Sequence, residues 1–66
     1  MPRKDKELLA AAIALTAQCP CCIEGHRAKA REVGVSDPEM AETLLVAAAI
    51  RAGGAVTHRA HAMKEA

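Results

Sequence analysis

Aromatic side chains are missing from this sequence, whose 66 residues include no Phe, Tyr or Trp. Bases therefore have no aromatic ring to stack on, which excludes the common modes of single-stranded nucleic-acid binding. β-Branched residues are also scarce, with four Val, three Ile and three Thr that do not alternate with polar residues. The pattern therefore does not favour strands.

Charge of one sign is not concentrated anywhere, and the net charge is only +1. No basic stripe suits a phosphate backbone or an anionic membrane, so we expect neither a nucleic-acid nor a membrane partner. The longest run without a charged residue, 8–23, is too short and too mixed to span a bilayer. Cleavage of a signal peptide there would remove about a quarter of the chain, so a cytoplasmic protein is expected.

Large apolar side chains are few for a chain that must form a core. Alanine accounts for 16 of the 34 apolar residues, beside five Leu, three Ile, four Val and three Met. The length allows a single domain, 1–66, and alanine buries little area. The core of one chain is therefore thin, and we expect copies of the chain to complete it.

Strong helix formers dominate, and the positions of Pro, Gly and capping residues predict an all-α fold of three main helices and a short fourth. The helices are expected over 4–17, 19–32, 38–52 and 55–64. Pro20 suits a first helical position, Gly34 a C-terminal stop, and Ser36 or Asp37 an N-cap. The Gly53-Gly54 pair is expected to break the third helix. That helix is apolar on every side over 44–50, which favours cover by partner subunits.

The segment most suggestive of chemistry is Cys19-Pro20-Cys21-Cys22-Ile23-Glu24-Gly25-His26. A helical wheel that starts at Cys19 places Cys22 and His26 on one apolar stripe and turns Cys21 to the opposite arc. Thiols in the first turn of a helix meet its positive end, which favours the nucleophilic thiolate. His26, one turn beyond Cys22, can exchange its proton, and a second thiol can capture a sulfenic acid as a disulfide.

Two other interpretations of these residues remain open. The cysteines could be small apolar residues on a core face. Alternatively, the chain could be a small zinc-binding or purely structural helical oligomer. In the metal site, Cys19, Cys22 and His26 would be joined by a fourth ligand from Cys21, His58 or His61. Outside a metal site, the two C-terminal histidines are more typical of solvated or interface residues, and by composition Glu7 is an ordinary first-turn acid.

The combination of Glu7, Cys19-Pro20-Cys21-Cys22 and His26 resembles the AhpD-type alkylhydroperoxidase branch of the carboxymuconolactone decarboxylase family. Lys6-Glu7-Leu8-Leu9-Ala10 is similar to the start of that family's first core helix. The segment 34–48 is similar to its following loop and helix. The resemblance implies an all-α homo-oligomer, commonly a trimer or hexamer, with a thiol peroxidase site.

The resemblance also implies a role for each site residue. Cys22 corresponds to the cysteine that attacks peroxide, and Cys19 to the partner that donates a proton and then closes a redox-active disulfide. His26 and Glu7 correspond to the proton relay. General C-x-x-C chemistry alone would instead make Cys19 the nucleophile. The expected partners are a small peroxide and a thiol or lipoyl-type reductant, with no separate cofactor and no bound metal.

The sequence departs from the family pattern in two respects. Cys21 stands where the family usually has Tyr or His, so one wall of the pocket or one member of the relay is altered. Many relatives also carry helices before this core. The decarboxylase branch lacks the cysteine pair, so lactone decarboxylation is not expected here.

Overall fold

A computed structural model describes residues 1–63 as three α-helices and no strand. The helices are α1 (Arg3–Thr16), α2 (Pro20–Glu32) and α3 (Asp37–Met63). The predicted all-α class is confirmed, and the first two helices lie within one residue of their expected bounds. Lys64, the end of the expected fourth helix, lies outside the described residues.

The expected break at Gly53-Gly54 is wrong, because α3 continues through both glycines as one helix of 27 residues. The third and fourth predicted helices are therefore a single element. A helical glycine costs about 0.5–1 kcal/mol relative to alanine but keeps its backbone hydrogen bonds. Side chains one turn later also bond the two glycine carbonyls: Thr57 Oγ1 donates to Gly53 at 2.9 Å and His58 Nδ1 to Gly54 at 2.8 Å.

The turn between α2 and α3 ends one helix and caps the next. Gly34 has φ +89°, the left-handed conformation that glycine adopts without strain, as the sequence predicted. Its N–H donates to Arg31 O, and Val35 N–H reaches back to Ala30 O. These two bonds form a Schellman motif, and the side chains of Val35 and Ala30 are buried against the fold.

The start of α3 is a capping box. Glu39 N–H donates to Ser36 Oγ at 3.2 Å, and Ser36 N–H donates to Glu39 Oε1 at 3.0 Å. Ser36 is therefore the cap, one of the two candidates that the sequence offered. The other oxygen of Glu39 lies 2.8 Å from Lys4 Nζ, so the same carboxylate ties α3 to the first turn of α1.

α1 is the central element of the fold. Within residues 1–63, both α2 and α3 pack against it and not against each other. The buried hydrophobic residues of the described chain are four alanines and one valine: Ala11, Ala14, Ala30, Val35 and Ala47. The thin core expected from the composition is confirmed.

Apolar side chains remain uncovered along α3. Leu45 is 74% exposed and Ile50 is 70% exposed, within the segment 44–50 that was expected to be covered. Val46 and Ile50 face Leu9 and Ile13 of α1 across an apolar groove of about 500 Å³. By length and composition alone, α3 is also apolar enough to cross a membrane, and a single helix of this kind is weak evidence for a membrane protein.

Candidate functional site

Cys19 joins the first two helices through its backbone. Its N–H donates to Ala14 O at 3.2 Å, which completes a Schellman motif at the end of α1. Its carbonyl accepts the N–H of Ile23 at 2.9 Å, the first hydrogen bond of α2. The residue is the N-cap of α2, with extended φ and ψ of −107° and 98°. The backbone of Cys19 is thus fixed from both sides.

Cys19 and Cys22 form a disulfide, with their Cα atoms 5.3 Å apart. This separation lies well inside the range that disulfides adopt. Pro20 occupies the first helical position between them, where its missing N–H costs no hydrogen bond. The two thiols that the sequence grouped on one stripe therefore lie together at the start of α2.

Cys21 is also part of this group, contrary to the helical wheel. Its Sγ lies 3.6 Å from Cys19 Sγ, and the three sulfur atoms all lie within 4.8 Å of one another. The wheel was wrong because it treated Cys19 as helical, whereas an N-cap residue has extended backbone angles. Pro20 at the first helical position already carried that signal in the sequence.

His26 and Glu7 are brought together from two different helices. His26 Nδ1 lies 2.9 Å from Glu7 Oε2, and the side chains are 34% and 17% exposed. Glu7 precedes the buried Ala11 by one helical turn, and His26 precedes the buried Ala30 by one turn. Alanines at this interface let α1 and α2 approach closely, so a short imidazole can reach the carboxylate.

The Glu7 contact sets which imidazole nitrogen is available for chemistry. An ionised carboxylate only accepts hydrogen bonds, so Nδ1 carries the proton and Nε2 is left for exchange with another group. Cys22 lies one helical turn before His26, a spacing at which Cβ atoms are about 5–6 Å apart. The arrangement can move a proton to or from a group bound near Cys22.

The sulfur atoms are accessible from solvent. Cys21 and Cys22 are exposed, and Cys19 is half-buried. A small oxidant and a larger thiol reductant can both approach this end of α2. The apolar groove between α1 and α3 is separate, since none of the cysteines, Glu7 or His26 lines it.

Arg51 supports the site from α3, and sequence reasoning missed it. Its guanidinium donates to Thr16 O at the end of α1 and to Gln18 Oε1 in the turn that precedes Cys19. Gln18 has φ 57°, so this turn holds a non-glycine residue in the left-handed region. An arginine 33 residues away in sequence carries no local signal for such a contact.

His58 and His61 do not join the cysteines among the described residues. Their rings lie 5.6 Å apart on α3, and the metal-competent cluster at the start of α2 contains only the three cysteines. Of the fourth ligands considered for a metal site, only Cys21 lies in that cluster. His26 is not in the cluster either.

Comparison with known proteins identifies the family. The sequence model of the carboxymuconolactone decarboxylase family matches residues 1–65, nearly the whole chain. The chain belongs to the carboxymuconolactone decarboxylase family. The resemblance drawn from Glu7, the cysteine motif and His26 is therefore confirmed at the level of the family.

One curated relative is "Uncharacterized protein 4 in cox locus" from Paracoccus denitrificans. It is 43% identical over 58 residues, which cover 88% of this chain and 52% of the relative. The chain thus spans about half the length of that relative, whose name states no activity. No solved structure matches the chain significantly.

Proposed function

We propose that this member of the carboxymuconolactone decarboxylase family is a thiol-dependent peroxidase of the AhpD type. The observation that carries the proposal is the placement of a Glu7–His26 hydrogen bond one helical turn from an accessible Cys19–Cys22 disulfide. A disulfide that solvent can reach is suited to cycling, and a fixed imidazole beside it is suited to proton transfer.

The first step consumes the peroxide. The Cys22 thiolate attacks one peroxide oxygen, the O–O bond breaks, and Cys22 becomes a sulfenic acid while the leaving alkoxide takes a proton and departs as an alcohol. His26 Nε2 takes the proton of the Cys22 thiol and then supplies that proton to the alkoxide. Glu7 is a positioning residue, because it holds Nδ1 and touches no reacting atom. The helix N-terminus favours the thiolate that starts the step.

The second and third steps close and reopen the disulfide. The Cys19 thiol attacks the sulfenic sulfur, a disulfide forms and water leaves. A dithiol reductant of the lipoyl or small-thiol class then transfers two electrons and two protons to the disulfide and becomes a disulfide itself. The cycle uses side chains of this chain and needs no separate cofactor.

The proposed setting is a homo-oligomer in the cytoplasm. The exposed apolar residues of α3, among them Leu45 and Ile50, need cover that one chain does not provide. Further copies of the chain supply apolar surface of the same kind. A reducing compartment suits a disulfide that must be reopened in each cycle.

The test counts thiols and locates the disulfide. The fully reduced chain is treated with one equivalent of peroxide, and free thiols are measured before and after. The count should fall from three to one per chain, with Cys19 and Cys22 linked within the chain and Cys21 free in peptide mass mapping. Zinc is measured in the same sample, because stoichiometric zinc and no thiol loss would replace the peroxidase by the metal-binding alternative.

Single variants then assign the roles. Cys22→Ser should abolish peroxide consumption, because a hydroxyl is too weakly acidic to be the nucleophile. Cys19→Ser should accumulate a sulfenic acid on Cys22, which further peroxide converts to sulfinic acid. A sulfenic acid on Cys19 in Cys22→Ser would reverse the two roles. Equal peroxide reactivity of both variants and the parent would remove the enzyme proposal.

A further inference from the structure

The cysteine cluster has a third sulfur that the peroxidase cycle does not use. Cys21 Sγ lies 3.6 Å from Cys19 Sγ, and Cys19, Cys21 and Cys22 all lie within 4.8 Å of one another. All three belong to the first turn of α2 or its cap. When the disulfide is reduced, this turn holds three thiols, two of them on exposed residues.

The spacing of the sulfur atoms suits a single metal ion. A thiolate sulfur lies about 2.3 Å from a first-row d¹⁰ ion, so three sulfurs around one ion in a plane are about 4.0 Å apart. The Cys19–Cys21 contact of 3.6 Å and the 4.8 Å limit on every pair lie close to this separation, and the bonded sulfurs of Cys19 and Cys22 must move apart on reduction.

The donor set selects the ion. Thiolates are soft ligands that favour Cu(I) and zinc. Structural zinc sites have four ligands, and among residues 1–63 no histidine, carboxylate or further cysteine joins the cluster. A soft monovalent ion that accepts three sulfur ligands fits this set better. The positive end of α2 offsets part of the negative charge that three thiolates bring.

We propose that the reduced chain binds one Cu(I) ion through the thiolates of Cys19, Cys21 and Cys22. This site differs from the metal alternative drawn from the sequence, in which His26 was a ligand beside Cys19 and Cys22. Binding requires reduction of the Cys19–Cys22 disulfide by a dithiol, which supplies two electrons and two protons. Cu(I) then replaces the three thiol protons, which are released to solvent.

The site is present only in the reduced state. Oxidation of Cys19 and Cys22 to the disulfide leaves Cys21 as the one remaining thiol of the chain. A single thiolate does not hold Cu(I) against a chelator, so the ion leaves when the disulfide forms. The binding proposal stands without the peroxidase cycle, because any dithiol reductant opens the site.

The test is a competition for Cu(I) under anaerobic conditions. Reduced protein is titrated against a chromophoric Cu(I) chelator, and bound copper is measured per chain. The wild type should bind one Cu(I) per chain, and X-ray absorption should give three sulfur neighbours. Cys21→Ser and Cys21→Ala should bind at least about tenfold more weakly, equivalent to about 1.4 kcal/mol, with two sulfur neighbours. Both variants remain foldable, because Cys21 is exposed.

Matched controls separate this site from its rivals. His26→Ala should keep the Cu(I) affinity and the three sulfur neighbours, and the oxidised wild type should bind no Cu(I). Equal affinity of the wild type and the Cys21 variants would overturn the proposal, since two thiolates would then suffice. Zinc binding tighter than Cu(I), or nitrogen coordination lost in His26→Ala, would also overturn it. Peroxide consumption by Cys21→Ser reports on the peroxidase separately.

Discussion

Glu7 Oε2 accepts a hydrogen bond from His26 Nδ1 at 2.9 Å and thereby links α1 to α2 beside the disulfide. Both side chains are partly buried, so the bond is held by packing as well as by charge. The bond fixes the orientation of the imidazole and directs Nε2 away from Glu7. Its contribution to the proposed chemistry can be separated from its contribution to the fold.

His26→Ala should slow the peroxide step by roughly 10²–10⁴-fold, the usual range for a positioned acid or base. Glu7→Gln should slow it less, because the amide oxygen still accepts from Nδ1–H while the charge is lost. The rate is measured by stopped-flow loss of thiol across a range of pH. His58→Ala on α3 is the matched control and should leave the rate unchanged. A purely structural role for Glu7 would lower the melting temperature without changing the pH profile.

Two glycines should respond in opposite directions to the same substitution. Gly34→Ala should destabilise the fold by about 1–2 kcal/mol, because φ +89° is strained for any residue with a Cβ. Gly25→Ala should stabilise α2 by about 0.5–1 kcal/mol, since Gly25 is helical. A Cβ at either position has open space, so neither effect includes a clash. Urea unfolding of both variants gives the sign of each change in the free energy of unfolding. Changes of the same sign would contradict the left-handed turn assigned to Gly34.

The stability of the chain should decrease in acid partly through Glu39. A hydrogen bond from Lys4 and two bonds to Ser36 lower the pKa of Glu39 from 4.5 to about 2. The folded pKa is the lower one, so this stabilisation is complete above pH 4.5 and is lost as the pH falls towards 2. Glu39→Gln should therefore unfold at a lower urea concentration than wild type at pH 7. Near pH 2 the two proteins should unfold at the same urea concentration.

The ionic part of the Glu39 contact should also depend on salt. Lys4 and Glu39 are each 41% exposed, so added salt screens their attraction. Raising NaCl to 1 M at pH 7 should reduce the difference in urea midpoint between wild type and Glu39→Gln. Lys4→Gln should show a similar, salt-sensitive loss. If the difference in urea midpoint between wild type and Glu39→Gln stays constant across pH and salt, the capping bonds alone stabilise this junction.

The uncovered apolar surface of α3 should drive assembly. Light scattering of the wild type at micromolar concentration should give a mass of three chains or more. Ile50→Glu, at a 70% exposed position on the groove, should lower that mass, because a charge cannot be buried cheaply against another chain. Ala28→Glu, at an exposed position on α2, is the control because it adds the same single negative charge. A stable wild-type monomer would contradict the proposed assembly.

Local signals in the sequence were enough for most of the backbone. Pro20, Gly34 and Ser36 each act within three residues of the helix end that they set, so their effects can be predicted from neighbours alone. The break predicted at Gly53-Gly54 was wrong because a glycine pair weakens a helix without preventing it. The hydrogen bonds from Thr57 and His58 that support this part of α3 become visible only once the helix is assumed to continue.

Some contacts of the site were likewise expected from the sequence, and others were missed. The pairing of Cys19 with Cys22 and the contact of His26 with Glu7 were expected from the resemblance to a known family, and the structure brings each pair together. The approach of Cys21 was missed because one extended residue was placed on a helical wheel. Arg51 was missed because its contact with the end of α1 depends on how α3 packs, which no local pattern encodes.

The position of Cys19 between two helices has a kinetic consequence. Its N–H belongs to the end of α1 and its carbonyl to the start of α2, and neither bond involves the sulfur atom. The disulfide can therefore open and close while both helix ends keep their hydrogen bonds. In the proposed peroxidase cycle, the sulfur atoms then move only by rotation about side-chain bonds, which takes nanoseconds or less, whereas unwinding a helix turn would add a slower step.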